Sequence, residues 1–196
     1  MKHRVFIAIN LLEEIKKEFL FYQGKWPELP VRWVKPENLH ITLVFLGYLS
    51  DEELPDILKI VREAAKKHNP FSINLTKVCY GPPKKPPRMV WVTGEKSDAL
   101  GKLQTDIEKN LLENFTPCPP PFSEKGRGGA GRPYAPHINL GRIRQWEFRQ
   151  IEPEERPEIN EEINLGLEVN SIEVMESQLK RGGAEYAILE SVPLSR

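Results

Sequence analysis

Val5, Ile7 and Ile9 alternate with their neighbours, the period of two that turns one side of a strand into a core. Ile15, Phe19 and Tyr22 follow at helical spacing, so a helix is predicted next. Alternation resumes through Leu39, Ile41, Leu43 and Phe45 and stops at Gly47. Ser50 and Glu53 then form a capping-box pattern ahead of Leu54, Ile57, Leu58, Val61 and Ala65, the inward stripe of a second helix. Phe71, Ile73 and Leu75 predict a strand that closes the unit.

The same order returns from Met89. A strand over Met89 to Val92 precedes a helix carrying Leu100, Leu103, Ile107 and Leu111, and a strand follows around Ile138 and Leu140. A weaker helix and a strand from Leu165 to Val174 complete the second pass, and a last strand runs from Tyr186 to Leu189. Two passes predict a duplicated unit, with halves at about 1–80 and 88–176 inside one domain spanning 1–196, since each small sheet needs helices on one face to bury its apolar side. Pro82 to Pro87 reads as a stiff connector between the halves. Thr116 to Pro133, with three consecutive prolines, four glycines and Lys125, Arg127 and Arg132, reads as a flexible insertion, either a mobile basic flap or a solvated segment without a role.

Composition narrows the function classes. Acidic and basic residues number 28 each, which argues against a long, sequence-independent grip on duplex nucleic acid but leaves a short nucleic-acid end open. Cys79 and Cys118 form no CxxC pair, so neither a disulfide framework nor a zinc site is expected. No apolar run approaches the roughly 20 residues of a membrane span. A cytoplasmic monomer without cofactor or membrane partner is the expectation.

The chemistry sits on two strands. His40 and Thr42 leave one face of the second strand while Leu39, Ile41 and Leu43 enter the core, and His137 and Asn139 stand in the same relation to Ile138 and Leu140. One histidine on a strand is ordinarily structural; two at equivalent places in duplicated halves point to one shared groove. His3 and His68 have no such setting and are read as structural. Two histidines without carboxylate or thiol companions make a poor metal site. They suit acid–base chemistry, one neutral and accepting a proton from water, the other protonated and donating to a departing oxygen. In-line displacement at phosphorus fits such a pair, with Thr42 and Asn139 aimed at the non-bridging oxygens. Tyr134 and Trp33 are candidates for stacking on a base, and Phe6 is assigned to the core.

The segments His40 to Leu43 and His137 to Leu140 resemble the paired HxTx motifs of the 2H phosphoesterases. Arg4 to Asn10, Asn38 to Gly47, and Met175 to Ser177 with Gly183 and Tyr186 extend the likeness to the RNA 2',3'-cyclic phosphodiesterases, historically called 2'-5' RNA ligases. The resemblance covers nearly the whole chain apart from 116–133. It implies an α+β fold of two pseudo-symmetric lobes, each an antiparallel sheet with helices on its outer face, and an active-site groove between them. It implies metal-independent hydrolysis of RNA 2',3'-cyclic phosphate ends to 2'-phosphomonoesters, with His40 as proton donor and His137 as acceptor. Asn139 departs from the pattern, standing where the family has threonine or serine. Arg142 matches an arginine that follows the second motif and would hold phosphate. A regular strand would turn it away from His137, and a bulge at Gly141 would re-aim it. Two other readings stand beside hydrolysis: 2'-5' ligation, and a non-catalytic RNA-binding module gripping through Lys125, Arg127 and Arg132.

Overall fold

The computed structural model describes residues 1–83, 86–115, 134–181 and 183–195. The insertion expected at 116–133, with Lys125, Arg127 and Arg132, lies outside the described residues, as does part of the 82–87 connector. Nine strands and four α-helices run through the described residues in the order β1 (Lys2–Asn10), α1 (Glu13–Gly24), β2 (Val31–Trp33), β3 (His40–Ser50), α2 (Leu54–Ala65), β4 (Phe71–Gly81), β5 (Met89–Gly94), α3 (Asp98–Asn114), β6 (His137–Ile143), α4 (Gln145–Gln150), β7 (Asn160–Val169), β8 (Ser171–Lys180) and β9 (Gly183–Pro193). The fold is α+β, built on one antiparallel sheet of order β7-β4-β5-β6-β3-β1-β8-β9 with β2 added beside β6.

The sheet is two lobes meeting at a narrow waist. β3 and β6 are joined through the single residue pair Ile41 and Ile138. Outward from it lie β3, β1, β8 and β9 on one side, and β6, β5, β4 and β7 on the other. The inner strand of each lobe carries one histidine motif.

One face of the sheet is covered by helices. Ile15 and Phe19 of α1, Ile57, Val61, Ala64 and Ala65 of α2, Leu100, Leu103, Ile107 and Leu111 of α3 and Phe148 of α4 pack with Val5, Ile7, Ile9, Ile41, Val90, Val92 and Ile138 in one continuous core. The stripes at helical spacing are the sequence cause of this layer, since each points one side of its helix at the sheet. Ser50 and Glu53 exchange the two bonds of a capping box, Glu53 N–H to Ser50 Oγ at 3.3 Å and Ser50 N–H to Glu53 Oε2 at 2.7 Å. A small second cluster of Phe6, Ala8 and Met175, with Tyr186 against it, lies apart from that core.

Strand pairing departs from the sequence reading in three places. β4 does not pair with β1 or β3; it lies between β5 and β7. The segment from Leu165 to Val174 is not one strand: β7 ends at Val169 and pairs with β4, whereas β8 begins at Ser171 and pairs with β1 and β9. One lobe therefore joins strands from both ends of the chain, β1 and β3 with β8 and β9, and the other is built from the strands between them, β4 to β7. Phe45, read as an inward residue, is 62% exposed. The register of β1 against β3 slips between the pairs Ala8–Thr42 and Ile7–Val44, and again between Phe6–Phe45 and Val5–Gly47, so Leu43 and Leu46 are extra residues and the alternation is reversed between them.

A second bulge lies on β6. Trp91 pairs with Asn139, Val90 with Gly141 and Met89 with Arg142, which makes Leu140 the extra residue. Its carbonyl is satisfied by Val34 N–H at 2.8 Å and Gln23 Nε2 at 3.2 Å. Met89 and Trp91 share a face of β5, so Asn139 and Arg142 opposite them share it too, although three residues apart. The expected re-aiming of Arg142 is thus present, and Gly141 permits it: a Cβ there would lie 2.3 Å from Val31 Cγ1 and 2.8 Å from Trp33 Cε3. Gly141→Ala is expected to lower stability by about 1–3 kcal/mol through overpacking. A shift of the denaturant midpoint at constant slope measures it; an unchanged midpoint would mean that β2 moves aside freely.

Candidate active site

The antiparallel register of Ile41 with Ile138 sets His40 across from Asn139 and Thr42 across from His137. The two isoleucines are fully buried, so the four flanking side chains leave by the opposite face. They form a quadrilateral with the histidines on one diagonal. Diagonal neighbours across an antiparallel pair stand about 7–8 Å apart, a span that lets two imidazoles flank one tetrahedral group.

These four residues, with Val34, Asn38 and Tyr186, line one pocket. A larger hollow, bordered by Ser72, Asn74, Glu95, Lys96, Ser97 and Asn164, contains no histidine. Both motif histidines therefore face the smaller one.

Each ring is oriented in the same way. His40 Nδ1 donates to the carbonyl of Asn38 at 2.7 Å, and His137 Nδ1 faces the carbonyl of Ala135 at 3.4 Å. Because the carbonyl can only accept, Nδ1 carries the proton and Nε2 is left for chemistry. His40 Nε2 contacts Thr42 Oγ1 at 2.9 Å.

Aromatic rings wall the pair. Phe6 and Tyr186 lie 5.0 and 5.2 Å from the His40 ring, and Trp91 lies 4.6 Å from the His137 ring. Burial pulls the pKa of both histidines below the ordinary imidazole value. The Asn38 and Ala135 carbonyls work against that shift, and the charge of His137 lowers His40 further.

The other residues singled out in the sequence fall as follows. Arg142 is exposed on the same sheet face as Asn139, with Arg32 across from it on β2. Trp33 pairs with Gly141 and packs against the helix-side core, which leaves it away from the pocket rather than open for a base. Tyr134 also packs against that core, and its hydroxyl donates to the Thr42 carbonyl. It is a tie between the lobes in place of a stacking platform, and burial pushes its phenol well above the usual range. His3 pairs with Glu176 and Asp51 at 2.6 and 2.8 Å, and His68 with Asp106 at 2.9 Å, in keeping with structural roles. Phe6 is buried as expected, but in the second cluster beneath His40.

Sequence reasoning did not assign Asn38, Tyr186 or Trp91 to the site. Asn38 was within reach of the period-two rule, since it precedes His40 by two residues as Ala135 precedes His137. Its side-chain Nδ2 also holds the Ala184 carbonyl at 2.7 Å, fastening the start of β9 beside the pocket. Tyr186 arrives from the far end of the chain through the pairing of β8 with β1, which no local pattern announces.

Among the described residues no cluster of three or more histidine, cysteine or carboxylate side chains is placed to hold a metal, and no helix is long and apolar enough to cross a membrane.

The pattern of the LigT like phosphoesterases matches residues 9–91. A Thermus thermophilus protein named RNA 2',3'-cyclic phosphodiesterase is 30% identical over 203 aligned residues, covering 97% of this chain and 90% of the relative. Its counterpart in Methanothermobacter thermautotrophicus is 29% identical over 186 residues, covering 92% of this chain and 90% of the relative. The crystal structure of the Thermus thermophilus protein TT0787 superposes with a TM-score of 0.79 at 27% identity over 97% of both chains. Escherichia coli LigT complexed with 3'-AMP shares the fold, with a TM-score of 0.70 at 24% identity over the full length of both chains. With the paired histidines brought into one pocket and a relative of this identity aligned almost end to end, the chain belongs to the LigT-like phosphoesterase family, alongside the RNA 2',3'-cyclic phosphodiesterases.

Proposed function

We propose that this chain hydrolyses RNA 2',3'-cyclic phosphate ends to 2'-phosphomonoesters by metal-independent acid–base catalysis. The observation that carries the reading is the diagonal placement of His40 and His137 in one pocket. The names of the aligned relatives supply the substrate class.

Hydrolysis at phosphorus needs a base for the incoming water and an acid for the departing oxygen, on opposite sides of the phosphorus. His137 Nε2 accepts the proton of water as its oxygen bonds to phosphorus. The P–O3' bond breaks on the other side, and protonated His40 delivers its Nε2 proton to O3'. The short Nδ1 bond to the Asn38 carbonyl, 2.7 Å against 3.4 Å on His137, steadies His40 as the cation. Thr42 and Asn139 occupy the remaining diagonal and face the non-bridging oxygens. Arg142, on the same face, supplies positive charge as the phosphorane forms. Among the described residues the pocket lining contains no carboxylate or thiol, a donor set poorly suited to a catalytic metal.

Replacing His40 or His137 by alanine is expected to lower turnover of a short cyclic-phosphate RNA by about 10²–10⁴-fold, the usual worth of a positioned acid or base. Wild-type turnover is expected to survive excess chelator. A variant that keeps full function would instead mark a binding module, and loss of activity to chelator would reveal a metal centre.

The pKa directions fix the pH profile. The acid must be protonated, so activity falls as pH rises through the pKa of His40; the base must be free, so activity falls as pH drops through that of His137. Both lie below the imidazole value of 6.5, so kcat/KM, which reports the free enzyme, is expected to be bell-shaped with its maximum on the acidic side of that value. A kcat/KM still rising through neutral pH would contradict these roles.

A further inference from the structure

Asn139 is the residue at which this chain departs from the paired HxTx pattern; it lines the pocket, and its Oδ1, like that of Asn38, is buried without a hydrogen-bond partner. A buried acceptor left unpaired is costly, and a native fold tolerates one where function provides the donor. Phosphate oxygens are acceptors themselves, so they cannot satisfy it. Asn139 neighbours His137 on β6, two residues along the same face. At the moment of attack, the group beside His137 with a proton to spare is the nucleophilic water. It releases one proton to the base and keeps the other.

We propose that Asn139 Oδ1 accepts a hydrogen bond from the retained proton of the attacking water and thereby makes this site selective for water over alcohols as the nucleophile. The inference rests on the hydrolysis of cyclic phosphate proposed above and adds the reason for an amide at this position. In the attack, the water oxygen forms the new P–O bond, one of its protons passes to His137 Nε2, the second stays on the oxygen and faces Oδ1, and O3' leaves with the proton of His40. The amide nitrogen of the same side chain remains free to face a non-bridging oxygen. An alcohol has a single hydroxyl proton. Once that proton is given to His137, its carbon substituent faces Oδ1 and the acceptor is stranded. A threonine hydroxyl in this place has both a proton to donate and lone pairs to accept with, and so does not impose the same demand. Ligation of a cyclic phosphate to an RNA 5'-hydroxyl is attack by an alcohol, which places the choice between hydrolysis and ligation partly in this one side chain.

The test is the product ratio when a short RNA ending in a 2',3'-cyclic phosphate is turned over by the full chain in a water–methanol mixture, with 2'-phosphate and 2'-methylphosphate ends separated by mass. Both nucleophiles compete for the same bound phosphate, so the ratio is independent of substrate affinity. Asn139→Leu keeps the approximate shape and removes the acceptor; it is expected to raise the methyl ester relative to the phosphate by about fivefold or more, the effect of one stranded buried acceptor. Asn139→Asp keeps an acceptor and is expected to hold the wild-type ratio even if it is slower. Asn139→Val, read in the same way, replaces Asn139→Leu should the latter fail to fold. An unchanged ratio in the leucine or valine variant, or an aspartate variant that shifts as far as the leucine one, overturns the inference while hydrolysis by the wild type leaves the functional reading standing. A wild type that forms neither product overturns both.

Discussion

The structure turns on the antiparallel contact of Ile41 with Ile138 at the waist of the sheet. Both side chains are driven into the helix-covered core, and burial of a large aliphatic residue favours folding by roughly 1.5–3 kcal/mol. Because side chains alternate along a strand, burying these two forces their neighbours to the other face. The hydrophobic effect thus sets the position of His40, Thr42, His137 and Asn139, and the geometry of the candidate site follows from core packing. Tyr134 reinforces the contact by donating its hydroxyl to the Thr42 carbonyl across the lobes.

The rest of the sheet shapes the environment of that quadrilateral. The β1–β8–β9 side supplies Phe6 and Tyr186 against His40, and β5 supplies Trp91 against His137. The aromatic walls bury the two rings, which disfavours the charged imidazole. The bulge at Leu140 has a different effect: by inserting one residue it brings Arg142 to the face that carries His137 and Asn139 without disturbing the alternation that holds those two. The crowding of Gly141 by Val31 and Trp33 shows why that step is taken at a glycine.

The inward residues of β1, β3, α2 and α3 were legible because their periodicity is strong and local, and the meeting of the two histidine motifs in one pocket was legible because they repeat on strands whose buried neighbours are unambiguous. The exchange of strands between lobes was not. β4 carries apolar residues at period two whichever neighbour it pairs with, so Phe71, Ile73 and Leu75 reveal a strand and nothing about its partner. β7 is an edge strand rich in Glu161, Glu162 and Glu168 with most of its residues outside the core, and its faint alternation ran into that of β8 across Asn170. Phe45 failed for a related reason, since an extra residue at Leu43 leaves no mark on composition yet inverts the positions beyond it until a second slip at Leu46 restores the original phase.

Duplication alone would make a poor acid–base catalyst. Two identical imidazoles in identical surroundings titrate as one coupled pair, and neither is committed to donating or accepting. This chain breaks the symmetry at each level where the halves correspond. The carbonyl behind His40 is close and that behind His137 distant; His40 is held against Thr42 Oγ1, while the corresponding amide of Asn139 keeps an oxygen with no partner. One ring is walled by Phe6 and Tyr186 and the other by Trp91. The pseudo-twofold arrangement places two histidines in one pocket, and the departures from it give the rings different surroundings, a close carbonyl and a hydroxyl at His40 and an unpartnered amide oxygen two residues from His137.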